Sequence, residues 1–165
     1  MFEYDADPKS LMFADTSELF IDLYQGDSDI ALRALDRITY FIRKGNADAF
    51  KNLIRYNHEL GPATTLEDVH YRVELMDCLA SLPKHPLIVD ALVQELTRTP
   101  SNNTTRQLYT KILKRLSQYP QEDIEGPLTR LLEQVTFSSK IKRRIMEVAG
   151  LIEPEEDTHD FLIWF

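Results

Sequence analysis

The chain has 165 residues, of which 43% are hydrophobic and 28% charged, with a formal net charge of −8. That size suits one domain or one short repeat array, and it buries enough apolar surface to fold without a metal or a disulfide. The one cysteine, Cys78, excludes an internal disulfide and a zinc site of its own, and only five glycines argue against a glycine-rich phosphate-binding enzyme.

The opening residues, MFEYDADPKS, carry acids where a secretory signal needs a basic start and an apolar stretch. No apolar run approaches the ~20 residues that span a bilayer. These features, with the lone cysteine, predict a cytoplasmic protein. Charge is unevenly spread. Residues 1–30 hold eight acids and one base, Lys9, and residues 151–165 hold five acids and no Lys or Arg, so the middle is mildly basic. A partner meeting the whole field is then basic, and one meeting the middle is acidic. Acidic ends also serve solubility alone.

Apolar residues recur at three- and four-residue spacings, which predicts helices near 15–25, 29–44, 47–60, 65–82, 86–98, 103–119, 123–135 and 139–152. Capping-box spacings fall at Asp15 with Glu18, Thr64 with Glu67 and Thr104 with Gln107. Ser28, Asn46 and Ser138 are further candidate caps, and Pro86 suits a first helical position. Stops fall at Gly45, Gly61, Pro83, Pro100 and Pro120. The apolar stripes predict core positions. In 29–44 they are Ile30, Ala34, Leu35, Ile38, Phe41 and Ile42; in 103–119, Leu108, Ile112, Leu116 and Tyr119; in 139–152, Ile141, Ile145, Val148 and Ile152. Met76, Cys78 and Leu79 read as core residues too.

Three helices close on a similar apolar-to-proline pattern: LASLP (79–83), LSQYP (116–120) and GLIEP (150–154). A helix pair recurring at this spacing is the signature of an α-solenoid. Residues 124–154, IEGPLTRLLEQVTFSSKIKRRIMEVAGLIEP, resemble a HEAT-type helical repeat. Pro127, Leu131 and Leu132 are similar to its first helix, and Ile141, Lys142, Val148, Ala149 and Gly150 to its second. Residues 66–96 match more weakly and residues 1–60 only in helix spacing. The resemblance implies an all-α fold, a short right-handed α-solenoid of about four HEAT-like helix pairs. One repeat domain would occupy residues 1–152, followed by an acidic-aromatic tail at 153–165. An irregular helical bundle with evenly spaced helices is the other architecture open to this pattern.

The family is mostly scaffolds and binding modules, so the resemblance implies protein binding and carries no catalytic residue. If the longer helices line one side, as the family implies, Arg33, Arg37, His70, Lys111, Lys114, Lys140, Arg143 and Arg144 form a basic groove, interrupted by Glu74 and Asp77. Such a groove suits an acidic protein segment or a phosphate backbone, and a solvated face of local salt bridges is its structural alternative.

No histidine has metal-ligand spacing with another, and Glu67 with His70 forms a single Glu-x-x-His pair where a di-iron bundle needs two. Neither a nucleophile elbow nor a Walker loop nor a dinucleotide fingerprint is present. The expectation is a non-catalytic protein without cofactor or metal. It binds another protein as adaptor or scaffold, in one version as an acidic inhibitor or immunity-type protein facing a basic partner. Nucleic-acid binding along the basic groove and an enzyme with an unrecognised site between helices are the alternatives. In the tail, Phe161, Leu162, Trp164 and Phe165 either cap the last repeat or dock on a partner.

Overall fold

The computed structural model describes residues 8–154. The described residues are helical without strands, which is the all-α class the periodicity predicts. The helices are α1 (Pro8–Met12), α2 (Ser17–Gln25), α3 (Ser28–Arg43), α4 (Ala47–Glu59), α5 (Leu66–Ser81), α6 (Pro86–Arg98), α7 (Arg106–Leu116), α8 (Gln121–Gln134) and α9 (Ser139–Val148). None is long and apolar enough to cross a membrane.

The start signals act locally. Asn46 accepts from the Ala49 N–H at 2.9 Å and Ser138 from the Ile141 N–H at 3.4 Å, as their side chains suggest. Elsewhere the cap sits a residue or two from the expected one. Asp27, not Ser28, accepts from Ile30. Thr65 and Asp68, not Thr64 and Glu67, form the reciprocal box at α5. Before α7, Asn102 and Thr105 bond each other's backbone, so that helix begins at Arg106 instead of 103. Asp15 binds Ser17 without capping α2, whose N-cap is Thr16. Pro86 takes the first turn of α6, with the His85 ring nitrogen accepting from the Leu87 N–H at 3.0 Å. Stops at Gly45 and Gly150 are left-handed, with φ of 94° and 78°, which ends a helix cheaply only at glycine.

The chain divides into two compact units. Among the described residues, one comprises residues up to 60 together with 78–83, the other residues 61–77 and those from 84 onward. In the first, α3 packs against α1, α2 and α4. Leu35, Ile38, Ala49 and Leu53 are fully buried there, while Ile30, expected in the core, is 37% exposed over Gly26. Asn46 ties this unit's start down: its amide also donates to the Leu11 and Ala14 carbonyls at 3.0 and 3.1 Å.

In the second unit α6 packs against α7 and α8, α8 against α9, and α7 against α9. Leu108, Ile112, Leu116, Tyr119, Ile141, Ile145 and Val148 are buried as their stripes predict. This core also holds a charged cluster. Glu95, wholly buried, accepts from Arg72 Nη1 at 2.8 and 2.6 Å, from Arg98 Nε at 2.6 Å and from the Thr99 hydroxyl at 3.1 Å. Arg72 also donates to the Gly61 carbonyl, and Thr99 accepts from the Ala63 N–H at 3.1 Å. The Tyr109 hydroxyl donates to the carbonyls of Leu96 and Thr99 nearby. Burial pushes the Tyr109 phenol well up, and it pulls the Arg98 guanidinium down against the raising effect of Glu95. The cluster fixes the residues before α5 to the end of α6.

Candidate functional site

The residues singled out as a basic groove fall in both units. Arg33 and Arg37 are exposed on α3 of the first, with Arg37 6.0 Å from the centre of the Phe41 ring. The others belong to the second. His70, Lys114 and Lys140 are exposed. Lys111 lies 3.3 Å from the Asp77 carboxylate, which Arg115 also reaches at 2.9 Å. Asp77 is therefore a counter-charge bound to the row instead of a break in it. Arg143 and Arg144 lie 3.4 and 3.3 Å from Glu147, whose side chain is 1% exposed. Burial pulls the Arg144 guanidinium below its ordinary value and Glu147 opposes that. What the fold does bring together is α7 and α9, which pack on each other and carry eight Lys and Arg against one acid. Phe161, Leu162, Trp164 and Phe165 lie outside the described residues.

A second surface was not evident from the periodicity. In the first unit α2 and α4 border a groove of about 530 Å³, lined by Phe20, Ile21, Tyr24, Asn52 and Arg55 with Ser17 and Gln25. Phe20 and Leu23 turn inward and are buried, and this leaves Ile21 53% and Tyr24 51% exposed on the outer face. Three-residue spacing puts those two side by side on the helix. The Tyr24 ring is held in place. Tyr24 donates to Glu59 at 2.7 Å and meets Tyr56 edge-on at 5.0 Å. Desolvation, with the bond to Glu59 and its charge, pushes the Tyr24 phenol up to about 12. It stays a neutral donor through the physiological range.

The helices that border the groove also carry acids outside its lining. Glu18 and Asp22 are exposed on α2, and four-residue spacing places Asp48 and Glu59 along the α4 face that carries Asn52 and Arg55. The groove offers apolar contact with Arg55 as the one charged side chain of its lining, and the acids of α2 and α4 lie outside that lining. The signal in the sequence was the Ile21–Tyr24 pair, which lies off the buried stripe of α2.

Among the described residues no three His, Cys, Asp or Glu side chains come close enough to hold a metal ion. Comparison of the chain with protein-family models, with curated proteins and with solved structures finds no match.

Proposed function

We propose that this chain is a non-catalytic protein-binding module of helical-repeat type, an acidic adaptor or inhibitor that receives a basic partner on the α2–α4 groove. The observation that carries the reading is the pair Ile21 and Tyr24, held half-exposed in a groove with acids on both helices. Contiguous apolar surface rimmed by charge is what protein interfaces use: the apolar centre supplies affinity and the rim steers the partner. An amphipathic segment with Lys or Arg beside its apolar face fits this surface.

The HEAT-like part of the reading draws support from the second unit. Contacts of α6 with α8 and of α7 with α9, beside those of α6 with α7 and of α8 with α9, support a stack of two helical hairpins. A cytoplasmic setting belongs to the same proposal.

The test is affinity capture from the native host at low and moderate salt, with the intact chain and with Ile21→Glu. A captured protein that is retained by the intact chain and lost with Ile21→Glu carries the proposal. Equal capture by both refutes it. Nucleic-acid binding is the second reading, favoured by the eight cations of α7 and α9. It requires nucleic acid in the eluate, a steep loss with salt, and loss on Lys114→Glu with Lys140→Glu.

A further inference from the structure

Three- and four-residue spacing puts Lys111, Lys114 and Arg115 on one face of α7, and Lys140, Arg143 and Arg144 on one face of α9. These faces lie off the buried stripes of two helices that pack on each other. Among the described residues two carboxylates pair with these cations: Asp77 with Lys111 and Arg115, and Glu147 with Arg143 and Arg144. Lys114 and Lys140 are exposed and form no ion pair among the described residues. The α7–α9 face therefore keeps a surplus of positive charge after its local pairs are made.

The chain leaves α9 beside this face. Gly150 is left-handed and the Leu151 N–H donates to the Met146 carbonyl at 2.9 Å, which ends the helix. A Cβ at Gly150 would lie 2.6 Å from the Gln121 amide, so this exit packs on the first residue of α8, shortly after the last turn of α7 with Lys114 and Arg115. The residues that follow are acidic: Glu153, Glu155, Glu156, Asp157 and Asp160, with no Lys or Arg through 165. Residues 155–165 lie outside the described residues. At ~3.4 Å per residue an extended chain carries Asp160 up to ~20 Å from Pro154. The α9 helix is ~15 Å long, so both lysines fall within reach. Glu122 and Asp123, exposed in the first turn of α8, repel an acidic segment from the other side of the exit.

We propose that the acidic segment of residues 153–160 docks on the α7–α9 face of its own chain, its carboxylates meeting Lys114 and Lys140. Tethering supplies the affinity that solvated ion pairs lack singly. The docked segment makes any polyanion on this face its competitor. The proposal is independent of the α2–α4 groove and of the function assigned to it.

The test compares the full chain with a variant carrying Glu153→Gln, Glu155→Gln, Glu156→Gln, Asp157→Asn and Asp160→Asn, by NMR amide shifts. The expected difference falls on Lys114 and Lys140 and spares Arg33 and Arg37, exposed cations of the first unit. It fades between about 20 and 300 mM salt as screening sets in. A peptide of residues 151–160 is then added to each chain. It moves the same signals in the neutralised variant. A tethered segment at about 1 mM effective concentration weakens a ~100 μM peptide about tenfold in the full chain. Lys114→Glu with Lys140→Glu in the neutralised variant abolishes peptide binding, whereas Lys142→Glu, off that face of α9, changes it less than about threefold. Any of five results overturns the proposal: no shift difference between the two chains, equal peptide binding by both, equal binding of a peptide with its acids amidated, peptide shifts at Ile21 and Tyr24 in place of Lys114 and Lys140, or a shift difference that grows with protein concentration, which marks docking on a second copy.

Discussion

Replacing Glu95 by glutamine tests the charged cluster directly. Glutamine keeps the length and planarity of the side chain but removes the charge that two guanidinium groups share. The side chains of Arg72 and Arg98 are 7% and 11% exposed, so neither gains full hydration in compensation. Breaking a buried pair from one side costs about 3–5 kcal/mol, because the remaining charge stays desolvated. For a chain of this size that corresponds to a fall of about 10 °C in Tm. The assay is urea and thermal unfolding followed by far-ultraviolet circular dichroism. A companion variant changes Arg72 and Arg98 to Met and Glu95 to Leu together. It should regain much of the loss, since apolar residues of similar volume carry no uncompensated charge. A loss below about 1 kcal/mol for Glu95→Gln, the range of solvated surface pairs, would refute the reasoning.

Asn46→Ala should cost about 2 kcal/mol in the same unfolding assay, because it removes the cap of α4 and leaves the buried Leu11 and part-buried Ala14 carbonyls without their donor. Asp68 is held below its ordinary value of 3.8, chiefly by the Thr64 N–H with further bonds from Thr65. Its contribution is therefore complete above the unfolded value and is lost as pH falls through the lower folded one. Asp68→Asn should cost about 1 kcal/mol at neutral pH and show a smaller decline in stability on acidification. Tyr24, pushed up to about 12, should ionise above the ordinary value of 10.0 in an absorbance titration, and Glu59→Gln should bring that step earlier. The neutral phenol is the favoured folded form, so this contribution is complete below the ordinary value of 10.0 and lost as pH rises through about 12.

Helix positions were legible because apolar spacing and punctuation agreed. Asn46, Pro86 and Ser138 each mark a boundary by what their own covalent structure can do. Boundaries shifted where two polar residues competed for the same turn. The Asn102–Thr105 pair delays α7 to Arg106, and Leu151 bonding back to Met146 beside a left-handed Gly150 ends α9 at Val148 instead of 152. The charged cluster went unread, although Glu95 occupies the stripe of Ile88, Ala91 and Leu92 and so falls on the inner face of α6. Its partner Arg72 comes from 23 positions earlier, a pairing no local period encodes. The groove on α2 was half legible: Ile21 and Tyr24 stand off the buried stripe, but only α4 supplies the other wall. Of the basic row, type and spacing were readable and the ion pairs to Asp77 and Glu147 were not.

Acid and base are sorted by helix in the second unit. The neighbours α6 and α8 carry six carboxylates and two arginines, whereas α7 and α9, also neighbours, carry eight cations and one carboxylate. Across these four helices such sorting separates the two signs of charge, offset in part by Asp77 and Glu147. Approaching polyelectrolytes of either sign feel a torque within about 10 Å at ordinary ionic strength and arrive pre-rotated. Retention on both anion- and cation-exchange resins at low salt is its chromatographic signature.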